Sequence, residues 1–264
     1  MDISYGYHAT APRPVSRTKA RPKNSKTRYF DFFAGRGSCE YAIHMQEVGT
    51  SSLEEVILNW LRSEWSCLVY GTLSDRNIID NANLGDAAEN ARRRWLLRHR
   101  ANILDEIPPG APAYRVLIED ADLPNLYILP TADWYLDTGR SFRVIDTPGN
   151  LRIGRSADPA LGLGPIEHYD KVRAISQDIS TRGTALDEPL ILISPTAAGP
   201  YTIIDGTHRA AALYDNHLRN PNTPWEGILI RDPLIEQSAW FITSKVGQLR
   251  IAQADALAAQ RRLR

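Results

Sequence analysis

The spacing of apolar residues changes about 110 residues into the chain. Between residues 29 and 107 apolar side chains such as Val56, Trp60 and Leu61 recur every three or four positions, which predicts amphipathic helices. After residue 107, short apolar runs are separated by turn-forming residues, which predicts strands. The change occurs at Pro108-Pro109-Gly110, a sequence typical of helix ends. We therefore predict a mostly helical region followed by a mixed α/β domain.

Two helices are predicted before this change of pattern. The first begins near Ser51-Ser52, because Glu54 and Glu55 follow in the turn where carboxylates meet the positive end of the helix dipole. The second runs from about Leu84 to Ile103 and carries five arginines in its later turns: Arg92, Arg93, Arg94, Arg98 and Arg100. Five arginines on one helix could contact phosphates, but a solvated helix face is the favoured interpretation.

The second part predicts a series of short strands and helices. The strands are residues 114–118, 126–129, 141–145, 190–193, 201–204 and 227–230, and the helices are residues 169–179, 207–218 and a C-terminal stretch from 235 onward. The fold class is α+β. The expected organisation is a basic, flexible tail (1–28), a helical region (29–107), a mixed α/β domain (108–234) and a C-terminal helix (235–264).

Composition places the chain among globular proteins. It has 264 residues, of which 43% are hydrophobic and 23% charged, with 31 basic and 31 acidic side chains. The six histidines and two cysteines lack zinc-site spacing, and two cysteines are too few for a disulfide framework. No apolar run is long enough to span a membrane. These features predict a soluble, cytoplasmic protein without a membrane partner.

The zero net charge is an average over two unlike parts. Residues 1–28 contain seven basic residues and one acid, so this tail carries +6 and the rest of the chain −6. The tail could bind DNA or an acidic partner, although a solubilising role is favoured. A mildly acidic body is a poor general DNA binder, which favours a small-molecule function.

The most informative segment surrounds residues 205–209. Asp205 and Gly206 turn the chain after an apolar strand, and Thr207, His208 and Arg209 then begin an alanine-rich helix. Amides at a helix start bind phosphates, and a glycine allows close approach. Asp205 could hold Mg²⁺ or polarise a hydroxyl. The alternative, given equal weight from the residues alone, is that Asp205 caps the helix and Arg209 forms a structural salt bridge.

This segment resembles the Asp-Gly-x-His-Arg box of the ParB/sulfiredoxin-like superfamily. The preceding segments agree in order: residues 166–172 lead into a helix, 180–183 end it at a glycine, and 188–193 place a proline before an apolar strand. The resemblance covers roughly residues 126–218. It implies a ParB/sulfiredoxin-like α/β domain that binds a nucleotide.

The members of this superfamily differ in activity, and the box distinguishes them. Sulfiredoxins carry a catalytic cysteine where this chain has Thr207, and ParB proteins commonly have arginine where it has His208. Free-serine kinases match the box best. That resemblance implies ATP-dependent phosphorylation of a small hydroxylated metabolite, with Glu167 as base, residues 206–209 binding the nucleotide phosphates, His208 at the reaction centre, and Asp205 orienting Mg²⁺ or the nucleophile.

Other functions remain open at this stage. A CTP-type, nucleotide-gated DNA-binding module is the second hypothesis, although no helix-turn-helix pattern follows residue 218. A nuclease of the same superfamily and a scaffold without activity are further alternatives. Residues 30–38 are similar to the glycine-rich cofactor loop of nucleic-acid methyltransferases, but no alternating strands and helices follow, so a plain turn is favoured.

Overall fold

A computed structural model of the chain describes residues 45–65, 72–100, 102–131, 134, 137–148, 168–182, 188–218 and 224–262. Several predicted features lie outside these residues: the basic tail, the glycine-rich segment 30–38, both cysteines and Glu167.

Six strands form one mixed sheet. They are β1 (Gln46–Ser51), β2 (Ala113–Ile118), β3 (Leu126–Ile128), β4 (Leu190–Ser194), β5 (Tyr201–Asp205) and β6 (Trp225–Arg231). Their order across the sheet is β1-β2-β6-β4-β5-β3. The pairs β4–β6 and β3–β5 are parallel, and the other three pairs are antiparallel.

Six α-helices accompany the sheet in the described part of the chain. They are α1 (Leu53–Glu64), α2 (Leu73–Asp80), α3 (Ala87–Arg100), α4 (His168–Arg182), α5 (Thr207–His217) and α6 (Lys245–Arg262). The mixed sheet with its helices confirms the α+β class. The predicted start of α1 is also confirmed, because Ser52 is its N-cap and accepts a hydrogen bond from the Glu55 amide.

The sheet is covered on both faces. On one face, Ile191, Ile204 and Ile228 share an apolar cluster with Ile57 and Trp60 of α1. Alternate positions point to the other face, where Leu192 and Ile203 share a cluster with Val172 of α4 and with Ala211 and Leu213 of α5. Because both faces are covered, β4 and β5 are buried along their whole length, which explains why both are mainly apolar, without the alternation of a half-exposed strand.

Residues before and after Pro108–Gly110 contribute to the same structure. Strand β1 pairs with β2, and α1 shares a cluster with β4, β5 and β6. The apolar pattern predicted no strand before residue 114. Strand β1 escaped prediction because it lies at the sheet edge, is almost entirely exposed and has a register shift between Glu47 and Gly49, so it lacks the alternation that marks a half-buried strand.

Three further expectations need correction. The strand predicted at 141–145 is wrong: the segment makes one isolated bridge, Arg143 to Tyr127, and continues into a 3₁₀ turn at Val144–Asp146. Its extended course is broken because Arg140 and Phe142 have positive φ angles of 76° and 56°. The helix predicted over 84–103 is shorter, and residues 102–106 form a separate 3₁₀ helix. The C-terminal helix begins at Lys245, after a 3₁₀ turn at Pro233–Gln237.

Candidate active site at the end of strand β5

A glycine joins the end of β5 to the start of α5. Gly206 is the N-cap of α5 and has φ 85°, in the left-handed region that favours glycine. A Cβ at this position would lie 2.8 Å from Leu190 Cδ2 and 2.9 Å from Arg209 Nη2. The predicted turn is therefore present, and only glycine fits it without displacing its neighbours.

The Asp205 carboxylate lies directly before this turn. Its side chain is buried, and its Oδ2 accepts hydrogen bonds from Arg209 Nη2 at 2.8 Å and from Ser63 Oγ at 2.9 Å. Arg209 Nη1 donates to the Glu188 backbone oxygen at 3.0 Å and lies 3.3 Å from Glu188 Oε2. Arg209 thus joins two carboxylates that are 17 residues apart in the chain.

Burial raises the pKa of Asp205 from 3.8 to about 6. The charge of Glu64 raises this pKa as well, whereas Arg209, the Ser63 hydroxyl and the Gly206 amide lower it. Asp205 therefore titrates just below neutral pH. A carboxylate with such a pKa can hold or release a proton under physiological conditions, as a group that takes part in proton transfer must.

The structure brings four predicted site residues to one place. Gly206, Thr207 and His208 lie at the partly exposed start of α5, directly after Asp205. The His208 ring contacts Trp134, with ring centroids 5.1 Å apart. The N-cap supplies no side-chain hydrogen bond to the first turn. This helix start presents backbone amides with the positive end of the dipole, as an anion site requires.

The Arg209 side chain contacts a carboxylate, whereas the sequence predicted that it contacts a phosphate. Its guanidinium forms the salt bridge with Asp205 that the sequence left open as the alternative, and its side chain is only 12% exposed. In this arrangement Arg209 holds the Asp205 carboxylate. A role for Arg209 in binding phosphate stays a prediction.

Two residues of the site escaped the sequence analysis. Ser63 lies 142 positions before Asp205 in the chain and shows no local signal, because one serine in the last turn of a helix is unremarkable in composition. Glu188 stands next to the proline that precedes β4, and it was used only as part of the family pattern. Glu188 precedes β4, which pairs with β5, and this position was the sequence feature that could have indicated its closeness to Asp205.

A groove lies between α4 and α5. Its volume is about 850 Å³, within the range of small-molecule sites. The lining includes Tyr169, Arg173 and Gln177 from α4, and Ala211 and Asp215 from α5. Helical periodicity places positions 208, 211 and 215 on one face of α5. The α5 residues that line the groove thus lie on the same helix face as His208.

The four arginines of α3 whose side chains the structure describes are engaged with nearby carboxylates. Arg92 contacts Asp75 at 2.6 Å, Arg93 contacts Glu89 at 3.0 Å, Arg98 contacts Asp105 at 2.7 Å, and Arg94 pairs with Glu54. Each of these four positive charges is compensated within the described helical region. This pairing does not favour α3 as a phosphate-binding face.

Asp205 could serve as a protein ligand for Mg²⁺. Mg²⁺ is commonly held by one or two carboxylates, with waters and substrate phosphates as its other ligands. Among the described residues no group of three acidic, histidine or cysteine side chains is placed to hold a metal, so Asp205 would serve as a single ligand.

In the same part of the chain, no helix is long and apolar enough to cross a membrane. Comparisons of the chain with family models, curated proteins and solved structures found no match, so its function has to be inferred from the geometry of this site.

Proposed function

We propose that this protein is an ATP-dependent phosphotransferase that acts on a hydroxyl group of a small, amino-acid-like metabolite. The observation that carries the proposal is the position of Asp205, a buried carboxyl that is held by Arg209 and Ser63 and separated from the first residue of α5 by Gly206 alone. A carboxyl that can orient a hydroxyl or hold Mg²⁺ and a helix start that can bind an anion would thus lie side by side. Phosphoryl transfer to a hydroxyl uses both.

The start of α5 would bind the nucleotide phosphates. The amides of Thr207 and His208 would donate to phosphate oxygens, and Gly206 lets the phosphates approach the backbone. Arg209 pairs with the carboxylates of Asp205 and Glu188, and the charge of Glu64 also acts on Asp205. Acidic groups at this place favour a magnesium-complexed nucleotide over a bare anion. Mg²⁺ bound through Asp205 would neutralise the charge of the phosphate oxygens.

The groove between α4 and α5 would hold the acceptor. Arg173 and Asp215 offer charges of opposite sign, which suit the carboxylate and the ammonium of an amino-acid-like molecule. The acceptor hydroxyl would face His208 and Asp205 at the start of α5. Its oxygen forms the new bond to phosphorus, its proton passes to Glu167, and the bond from phosphorus to the nucleoside diphosphate breaks. Asp205 orients the hydroxyl.

Nucleotide binding can be tested directly by thermal shift. With ATP, ADP, CTP or GTP and Mg²⁺, we expect ATP to raise the melting temperature of the wild type most, because ligand binding to the folded state stabilises it. His208→Ala should reduce the rise. A response to CTP alone, with DNA binding that weakens steeply with salt and is lost when residues 1–28 are deleted, would instead support the DNA-binding alternative. No shift with any nucleotide would contradict both.

The catalytic assignments predict a large loss of turnover. Glu167→Gln and Asp205→Asn should each lower the rate of phosphate transfer by about 10²- to 10⁴-fold, the usual contribution of a positioned acid or base. Asp80→Asn is the matched control, because Asp80 forms an exposed ion pair with Arg76 on α2. It should retain full turnover. Circular dichroism would verify that all variants fold, and unchanged turnover in both site variants would refute the assignment.

A further inference from the structure

Helix α1 reaches the candidate site through one hydroxyl group. Ser63, in the last turn of α1, donates its hydroxyl to Asp205 Oδ2 at 2.9 Å. The same hydroxyl lies 2.8 Å from the Trp60 backbone oxygen. A serine hydroxyl has one hydrogen, so the two acceptors compete for it. The ionised Asp205 is the stronger acceptor, because hydrogen bonds to charged groups are stronger than those between neutral groups.

The position of Ser63 is set by the packing of its helix. Val56, Ile57, Trp60 and Leu61 of α1 are buried, and they belong to the apolar cluster that also contains Ile191 and Ile204 of the neighbouring strands. Ile204 directly precedes Asp205 in β5. The cluster therefore fixes the distance between α1 and the end of β5. This rigidity places the hydroxyl without a large entropic cost.

Ser63 and Arg209 both act on one oxygen of the carboxylate. Arg209 Nη2 and Ser63 Oγ both approach Oδ2, and the Gly206 amide also bonds to the carboxylate. Two side-chain donors on Oδ2 fix the rotation of the carboxyl group. A carboxyl held in one rotation can present an acceptor hydroxyl or a metal ion in a defined geometry.

We propose that Ser63 is a positioning residue for Asp205, so that the helical layer formed by α1 completes the site at the end of β5. This inference rests on the proposed function for its catalytic consequence. Its structural content, the coupling between Ser63 and Asp205, does not. Ser63 contacts no substrate in this scheme and acts only through the carboxylate.

Turnover measurements test the catalytic consequence. Ser63→Ala should lower kcat by about 10- to 100-fold, the loss expected from removing a hydrogen bond to a charged group, with little change in KM for the acceptor. Ser63→Thr, which keeps the hydroxyl, should restore most of the turnover. Ser51→Ala is the matched control, because Ser51 also donates to a carboxylate, Glu55 Oε2 at 2.8 Å, at the opposite end of α1. The control should leave kcat unchanged.

A double-mutant cycle tests the coupling without any substrate. Urea midpoints of wild type, Ser63→Ala, Asp205→Asn and the double variant should be non-additive, with a much smaller effect of Ser63→Ala in the Asp205→Asn background. Additive midpoints would overturn the inference whether or not the wild type turns over. An active wild type in which Ser63→Ala keeps full kcat would overturn it as well. A wild type without turnover but with non-additive midpoints would refute the proposed function and still support the coupling.

Discussion

Replacing Arg93 with methionine is expected to lower the free energy of unfolding by about 2–4 kcal/mol, because a buried guanidinium with four hydrogen bonds is removed and buried acceptors lose their donor. Arg93 is 1% exposed. Its Nη1 donates to the Ile78 backbone oxygen at 2.7 Å and to Glu89 Oε2 at 3.0 Å, and its Nη2 to the Asn83 backbone oxygen at 2.9 Å and to Asn90 Oδ1 at 2.6 Å.

The expected loss arises from the acceptors that Arg93 would leave behind. Methionine fills part of the volume of the arginine stem, but it donates no hydrogen bond to the carbonyl groups of Ile78 and Asn83 or to the Glu89 carboxylate. These groups lie on α2, on α3 and in the loop that joins them, so the packing of the two helices depends on one guanidinium. Arg93 therefore has a structural role, although the sequence placed it among five similar arginines.

Chemical denaturation measures this effect, and Arg76→Met provides the control. Arg76 forms an ion pair with Asp80 in which both side chains are nearly half exposed. Exposed pairs contribute at most about 1 kcal/mol, so the control should lie close to the wild type. If the free energy of unfolding of Arg93→Met lies within about 1 kcal/mol of the wild type, the four hydrogen bonds do not stabilise the packing of α2 against α3.

The second large effect is the pH dependence of stability that Asp205 causes. Its pKa is raised from 3.8 to about 6 on folding, so the folded state holds this proton more tightly than the unfolded state. The resulting stabilisation is fully present below about pH 4 and is lost as the pH rises through 6. A shift of about 2 pH units corresponds to roughly 3 kcal/mol.

The difference between wild type and Asp205→Asn isolates this contribution, because asparagine does not titrate. In urea denaturation with a metal chelator, the free energy of unfolding of the wild type minus that of Asp205→Asn should fall by roughly 3 kcal/mol between about pH 4 and pH 7. Asp75→Asn is a control of opposite sign. The Arg92 guanidinium holds the pKa of Asp75 well below its usual range of about 4, so the corresponding difference should rise with pH only below about pH 4 and stay nearly constant between pH 4 and pH 7. If the difference for Asp205 also stays constant between pH 4 and pH 7, Arg209 and Ser63 outweigh its burial.

The sequence predicted well those elements that depend on the preferences of neighbouring residues. The apolar runs of β4 and β5 and the sequence from Asp205 through the alanines of α5 carry strand, turn and helix signals within a few residues of each other. The conformation at Gly206 follows from the same local pattern. The segment 141–145 was misjudged because its apolar residues favour a strand, whereas the left-handed conformations of Arg140 and Phe142 depend on its surroundings. The Phe142 amide, for example, donates to Thr138 Oγ1 at 3.0 Å.

The sequence by itself determined that β5 leads through a glycine into a helix start bearing Asp205, Thr207 and His208, because strand, turn and cap preferences act over neighbouring residues. Only the tertiary structure decided what surrounds Asp205. Covering both faces of the sheet brings α1 against the end of β5, so Ser63 meets a carboxylate 142 positions away. The same packing turns Arg209 toward Glu188 and buries Asp205 until its pKa approaches neutrality. Burial and long-range hydrogen bonding depend on the whole packed chain, and they convert a common Asp-Gly turn into a candidate reaction centre.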